Sequence, residues 1–286
     1  MTEASDFATG PGRALLEDIG TDPAVLPLIR QLEVGGAASA RGAAGSSTVV
    51  LAGMLARRLE RTVLLVMAHI DDADEATDEL RGFGIDARLF PALEVLPGET
   101  SLSMELLSAR LSLVRALHEG AAPNVVVAPI SALMQGVPTA ERLDRLLRRI
   151  RTGDRLDLPE FTEWLVAAGY ERRDTIELPG EFAIRGGIID VNPPGGGLPF
   201  RLDLFGDEVE RIFEIDLVTQ ASDRRVEEVE LVGAPLESLQ TDEATVQCIE
   251  ILGRDSIAVL AEIAELTEQA RGYWDRVGDS RGVFNP

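Results

Sequence analysis

The chain has 286 residues, 45% of them hydrophobic, and 49 acidic residues outnumber 27 basic residues, all of which are arginine. The formal net charge of −22 makes sequence-independent binding to a phosphate backbone unfavourable. The absence of lysine excludes a standard P-loop ATPase, whose loop lysine neutralises the nucleotide phosphates. A single cysteine, Cys248, excludes an internal disulfide and a multi-cysteine zinc site. We expect a cytoplasmic protein without a membrane partner, since no signal pattern or bilayer-length apolar run is present.

Residues 1–150 alternate between helix-like and strand-like patterns. Thr62–Ala68 and Asn124–Ile130 are continuous apolar runs, which are typical of parallel strands buried on both faces. The other elements predicted here are two short helices within 13–33, helices over 48–59, 71–81 and 104–118, and a short strand over 85–90. This alternation predicts an α/β lobe with a parallel sheet.

The pattern changes near residue 151. Leu158–Ala168 reads as a helix with Pro159 in its first turn, and Gly169 ends it. Period-two patterns follow at 170–178, 182–191, 200–205 and 209–216, and they predict a small α+β domain with an antiparallel sheet. A helical pattern returns over about 242–271. The predicted domains are therefore 1–150, 151–232 and 233–286.

A loop of small residues over 35–48 precedes the helix at 48–59. Its end occupies the place where a P-loop carries lysine followed by serine or threonine. The residues found there are Gly45, Ser46, Ser47 and Thr48. Without a lysine we interpret this as a degenerate nucleotide loop.

No catalytic or metal-ligating residue is predicted. The two histidines, His69 and His118, have no cysteine or histidine near them in the sequence, so a metal site is not expected. With so many acidic residues, an acid–base pair of carboxylates would arise by chance, and solvation at hairpin edges is the preferred interpretation. The carboxylates considered are Glu181, Asp190, Asp203 and Asp207.

The segment 180–193 is the most distinctive candidate for binding. In a strand, Arg185 shares a face with Ala183, while Phe182 points to the other face, and Gly186-Gly187 indicates a bulge or a close approach of the backbone. Arginines on such a sheet favour a protein-docking hot spot, but internal ion pairs with neighbouring glutamates explain them equally well. The predicted partner-binding set is Arg172, Arg173, Glu181, Phe182 and Arg185.

An ordered series of short motifs over most of residues 25–235 resembles the UvrB-homology module at the N-terminus of bacterial transcription-repair coupling factors. The matching stretches are Phe90-Pro-Ala-Leu-Glu-Val-Leu-Pro97, Ser108-Ala-Arg-Leu-Ser112, Val127-Ala-Pro-Ile-Ser-Ala-Leu-Met-Gln135, Gly169-Tyr-Glu-Arg172, Gly180-Glu-Phe-Ala-Ile-Arg-Gly-Gly-Ile-Ile-Asp190, Phe205-Gly-Asp-Glu208 and Phe213-Glu-Ile-Asp216. The excision-repair helicase UvrB shares the second half. It should, however, carry an intact P-loop and a tyrosine-rich stretch where this chain has Leu93–Thr100.

The resemblance implies an architecture and a function. Residues 1–150 would form a degenerate P-loop, helicase-like lobe similar to UvrB domain 1a, 151–232 a small UvrA-binding domain, and 233–286 a helical segment completing the lobe. The function implied is non-catalytic docking of the damage sensor UvrA at lesions that stall RNA polymerase, with Arg172 and Arg185 as the contact arginines. The full-length family is an ATP-dependent DNA translocase, so ATP, magnesium, DNA and RNA polymerase would be bound by other domains. The alternative is a nucleotide-binding or DNA-binding lobe of a UvrB-like helicase.

Two departures from the family pattern stand out. Asp190-Val191-Asn192-Pro193 replaces the usual Asp-Leu-Phe-Pro, so Asn192 stands where the family has an aromatic residue. The sequence also ends at Pro286, before the motor of the family. It is therefore either a piece of a longer translocase or a stand-alone module that docks UvrA but cannot move on DNA.

Overall fold

The computed structural model describes residues 11–93, 103–194, 198–232, 245–277 and 282–285. The helices in these ranges are α1 (Pro11–Thr21), α2 (Leu26–Glu33), α3 (Ser46–Leu59), α4 (Ile70–Gly82), α5 (Met104–His118), α6 (Ile130–Met134), α7 (Ala140–Leu146), α8 (Leu158–Ala167), α9 (Cys248–Ile251) and α10 (Ile263–Arg276). The strands are β1 (Val63–Met67), β2 (Ala87–Leu89), β3 (Val125–Pro129), β4 (Val137–Pro138), β5 (Leu147–Arg151), β6 (Glu171–Arg172), β7 (Glu181–Arg185), β8 (Ile188–Asn192), β9 (Phe200–Phe205), β10 (Glu208–Ile215), β11 (Ser222–Val226), β12 (Glu228–Val232), β13 (Thr245–Val246) and β14 (Ile257–Leu260). Most of Leu93–Thr100, the glycines 195–197 and residues 233–244 lie outside the described ranges.

A parallel four-stranded sheet has the order β14-β1-β3-β2. Every residue of β1 and β3 is buried, and Val63 lies opposite Val125 in a continuous register. Apolar side chains of α3 and α4, including Leu55 and Leu80, pack into the same core. The two apolar runs thus fill the middle of a sheet, where both faces are dry, and the predicted α/β class with a parallel sheet is confirmed.

A second, six-stranded sheet has the order β11-β10-β9-β8-β7-β6. Neighbouring strands are antiparallel except β6 and β7, which run parallel. One face packs on α8 through Phe161 and Leu165, both fully buried. Helix α8 begins after Asp157, whose carboxylate accepts the backbone N–H of Glu160 at 2.9 Å, a cap that satisfies one of the unpaired N–H groups of the first turn. The predicted antiparallel sheet with one helix is confirmed.

The chain divides into two compact units. One comprises Met1–Ala92, Leu113–Val137 and Val246–Pro286 and contains the parallel sheet; the other comprises Leu93–Ser112 and Pro138–Thr245 and contains the antiparallel sheet. The predicted limits 1–150, 151–232 and 233–286 stay a prediction. Among the described helices, none is both long and apolar enough to cross a membrane.

Three predicted elements were wrong in detail. The strand expected over 182–191 is two strands, β7 and β8, joined by a turn at Gly186-Gly187, where Gly186 has a φ of +62°. Of the strand expected over 170–178, only Glu171–Arg172 is a strand, because the rest of the segment folds back over Glu181 (below).

The helix expected over 242–271 is also wrong, apart from residues 242–244, which are not described. It is replaced by β13, α9, β14 and the start of α10. The apolar run Ile257–Leu260 pairs alongside β1 in the parallel sheet. That partner lies almost 200 residues earlier in the chain, so local periodicity could not reveal the strand.

Candidate protein-docking site

The face of the antiparallel sheet opposite α8 carries a buried carboxylate between two arginines. Asp190, in the middle of β8, is 1% exposed. Arg201, on the neighbouring β9, donates two hydrogen bonds to this carboxylate. Its Nε bonds to Oδ1 at 2.6 Å, and a terminal nitrogen bonds to Oδ2 at 2.9 Å. Arg185, at the end of β7, donates one bond to Oδ2 at 3.2 Å. The expected solvation of Asp190 at a hairpin edge is wrong, because register places it inside the sheet, opposite both Ala183 and Arg201.

In this arrangement the positive charge of Arg185 is not neutralised within the cluster. The two-bonded pairing neutralises Asp190 with Arg201, and the hydrogen bond that Arg201 donates to Asp190 raises the pKa of Arg201 above its ordinary value. Two guanidinium groups against one carboxylate leave one net positive charge. Arg185 carries this charge to the surface, because its side chain is 52% exposed and makes a single internal bond within the described ranges. Its remaining N–H groups can take a carboxylate of another protein in the two-bonded geometry that guanidinium favours.

Arg172 lies at the edge of the same sheet but on its other face. The parallel pairing of β6 with β7 sets Arg172 beside Phe182, whereas Arg185 is an odd number of residues further on and points to the opposite side. Arg172 is exposed, and no side-chain hydrogen bond or ion pair involves it within the described ranges. Strand geometry of about 3.3 Å per residue and about 4.8 Å between strands puts the two Cα atoms about 11 Å apart. A surface using both arginines therefore wraps around the edge formed by β6.

Glu181 fastens the segment that follows Arg172. Its Oε2 accepts the backbone N–H groups of Glu177 at 2.7 Å and Leu178 at 2.8 Å, and its Oε1 accepts Nε of Arg173 at 3.1 Å. Arg173 also pairs with Glu171. The backbone bonds, first from Leu178 and then from Glu177, lower the pKa of Glu181, and Arg173 lowers it further. Glu181 thus faces inward, with both oxygens occupied, and holds the loop beside the arginines.

Replacing Glu181 by glutamine should loosen this loop. Above about pH 4.5, its ordinary pKa, the ionised form makes charge-assisted bonds, so their stabilisation is lost as pH falls through the lowered pKa of the folded state. At neutral pH, we expect Glu181→Gln to speed amide exchange at Glu177 and Leu178 roughly 10-fold or more. The amide of Leu204, bonded to Gly187 on another strand pair, is the internal control. Unchanged exchange at Leu178, or an equal change at Leu204, would contradict this role.

The predicted binding residues therefore separate into two groups. Arg172, Arg173 and Arg185 lie at the surface, while Phe182 is 0% exposed and packs in the core against α8, and Glu181 is 8% exposed. Sequence reasoning missed the supporting role of Arg201 and of Asp190. The signal available was a charged residue inside each of two strand-like runs, but only the register shows that these charges meet.

The second unit matches a known protein family. The family described as the UvrB interaction domain matches residues 149–236, a range that includes α8, β6 and the whole arginine–carboxylate cluster. Residues 149–236 are therefore similar to the UvrB interaction domain.

Curated relatives extend the match beyond this domain. The chain is 34% identical over 174 residues to the transcription-repair-coupling factor of Bacillus subtilis, covering 60% of this chain and 15% of the relative. It is 35% identical over 163 residues to that of Haemophilus influenzae, covering 57% and 14%, and 30% identical over 230 residues to that of Escherichia coli, covering 79% and 20%. The chain thus aligns with a fifth or less of the length of these relatives. The similarity to coupling factors expected from the motifs is confirmed.

Asn192, where related sequences were expected to carry an aromatic residue, lies within the matched range 149–236. It is 3% exposed and aligned with Glu181 across the β7–β8 pair. Its Nδ2 has no hydrogen-bond partner in the part of the chain that the structure describes. The buried amide of Asn192 presents no apolar surface to a partner.

The other unit has a cavity at the loop of small residues, outside the matched range 149–236. It has a volume of about 320 Å³ and includes Gly45, Ser46 and Thr48 at the start of α3. The carboxylates that line it are Asp72, Glu75, Glu79, Glu262 and Glu265. His69 beside it bonds to Glu265 at 2.9 Å, and that bond raises the pKa of the imidazole. Because five carboxylates line the cavity, their negative charge disfavours the binding of phosphate there.

We expect isothermal titration of the whole chain with ATP and magnesium to give no saturable heat up to millimolar nucleotide. The reason is twofold, because the loop has no lysine and the cavity beside it is lined by carboxylates. Saturable binding, abolished by a bulky substitution such as Ser46→Trp, would instead support the alternative of a nucleotide-binding lobe.

Proposed function

We propose that this chain is a protein-docking module of a transcription-repair coupling factor, and that its UvrB interaction domain recruits the excision-repair sensor UvrA. The observation that carries the proposal is Arg185, half-exposed and positively charged, supported from beneath by the buried pair of Asp190 and Arg201. It lies within the matched range 149–236.

The acidic character of the chain makes the positive charge of Arg185 distinctive for recognition by a partner. The chain is strongly acidic as a whole, so an outward arginine that exceeds its internal partners by one charge is a local exception. Exposed Arg172 supplies a second one at the same edge. Together they suit a partner surface that presents carboxylates, since arginine is enriched among the residues that dominate protein interfaces.

The chain itself acts without cofactor or catalysis in this proposal. ATP, magnesium, DNA and RNA polymerase belong to other parts of the longer coupling factors. The net charge of −22 supports this division of labour, since it disfavours direct contact with DNA by this segment.

A titration of the 286-residue chain against purified UvrA tests the proposal. Calorimetry or biolayer interferometry should show saturable binding that weakens moderately with salt, because charged pairs contribute to it. Absence of binding at protein concentrations of tens of micromolar would reject UvrA as the partner.

A further inference from the structure

Phe205 is a large apolar side chain that is exposed to solvent. It is 79% exposed, and it is the one aromatic residue among the strongly exposed large hydrophobic side chains of the described ranges. It occupies the last position of β9 and pairs with Glu208 across a tight turn at Gly206-Asp207. Neither the docking role of the arginines nor the core of the sheet accounts for it.

The backbone around Phe205 is rigid. Gly206 has a φ of +67°, as the first central residue of a two-residue hairpin requires for one common turn type. On the other side, the N–H of Leu204 bonds to the carbonyl of Gly187 at 2.8 Å. A Cβ on Gly187 would lie 2.8 Å from the carbonyl oxygen of Leu204, so glycine is needed for this close approach. Strands on both sides thus fix the aromatic ring's attachment point.

Phe205 shares the open face with Arg185. Leu202 is buried in the core and Leu204 packs against it, so alternation along β9 puts Phe205 on the opposite face, with Asp203. Ile188 links the two sides of this face, since it lies opposite both Arg185 and Asp203. Phe205 lies two strands away from Arg185 and two residues further along the strand. Strand geometry therefore puts the two Cα atoms about 12 Å apart. An average interface patch of about 800 Å² per partner easily covers that distance.

We infer that Phe205 is the aromatic anchor of this docking surface, and that it enters an apolar recess on a partner that presents carboxylates to Arg185. The inference rests on the proposed function, with UvrA as that partner. A ring fixed on a rigid hairpin loses little conformational entropy when it binds, which favours its use as an anchor. A second copy of this chain is a poorer occupant, because each copy carries a net charge of −22 and two copies repel.

The test compares Phe205→Ser with the wild-type chain in the UvrA titration. We expect affinity to fall on the order of tenfold or more, as for truncation of an interface hot spot, while Phe205→Leu, which keeps apolar surface, should lose less. Val166→Ala is the matched control: Val166 is also an exposed hydrophobic residue of the same unit, at 57% exposure, but it lies on α8, behind the other face of the sheet. Thermal unfolding should be unchanged in Phe205→Ser, since the ring is in water.

The outcomes separate this inference from the function on which it depends. If the wild-type chain binds UvrA and arginine variants weaken it, but Phe205→Ser binds like the wild type, the inference is wrong and the proposed function stands. If the wild-type chain does not bind UvrA, both fail. If sedimentation shows a wild-type dimer that Phe205→Ser dissociates while UvrA binding is unaffected, the ring serves self-association and the inference is overturned.

Discussion

Replacing Arg172 and Arg185 together by alanine should nearly abolish UvrA binding while leaving the fold intact. Each truncation of an interface arginine is expected to lower the binding free energy by about 1–3 kcal/mol. The Cα atoms are about 11 Å apart by strand geometry, and the side chains share no partner, so the two effects should roughly add. The double variant is thus expected to bind about 30-fold to about 20,000-fold more weakly, as measured by calorimetry or interferometry against UvrA.

The control for this experiment removes a positive charge elsewhere. Arg254 is exposed and lies in the unit with the parallel sheet, so Arg254→Ala changes the net charge as much as either single variant. Its UvrA affinity should stay within a factor of two or so of the wild type. If Arg172→Ala and Arg185→Ala retain full affinity, or if Arg254→Ala weakens binding as much as they do, the arginine surface is not the docking site.

The second large effect is on stability. Asp190→Ala should lower the free energy of unfolding of the antiparallel-sheet unit by about 2–4 kcal/mol, because it leaves the mostly buried guanidinium of Arg201 without its carboxylate. Arg185→Ala removes a single bond from a half-exposed side chain, so it should cost less than about 1 kcal/mol. The asymmetry follows from burial, since both arginines contact the same carboxylate.

Urea unfolding followed by tryptophan fluorescence can measure this difference. The sequence has two tryptophans, and Trp164 on α8 packs against the core beneath the sheet, so a Trp274→Phe background isolates the signal of this unit. Asp203→Ala is the matched control, because the ion pair of Asp203 with Arg211 is more exposed than that of Asp190 with Arg201. The side chain of Asp203 is 27% exposed and that of Arg211 is 46% exposed. A loss for Asp190→Ala no larger than for Asp203→Ala would show that the buried cluster contributes no special stability.

The middle of the parallel sheet could be predicted because its physical cause is local. The five consecutive apolar residues of β1 are typical of a strand buried on both faces, and β3 repeats the pattern. β14 could not be predicted in the same way, because its apolar run has only four residues and its partner strand β1 lies far away in the chain.

The sequence proposes residues for the candidate site but not their geometry. Arg185 and Arg172 were singled out by their places in strand-like segments, and the structure shows both at the surface. Their placement on opposite faces depends on the parallel pairing of β6 with β7, and the burial of Asp190 depends on the register of β8 with β9. The pairing register of strands is set by the turns and by the whole core. It therefore cannot be predicted from the presence of charged residues within strand-like segments.

The acidic cavity at the start of α3 bears on how this lobe could change over generations. Its carboxylates come from α4, from Glu262 and from Glu265 of α10, so repulsion of phosphate is spread over separate segments. Inserting a lysine beside Gly45 would meet a site still dominated by negative charge. Gaining an affinity for nucleotide would therefore take several concerted substitutions, none useful alone.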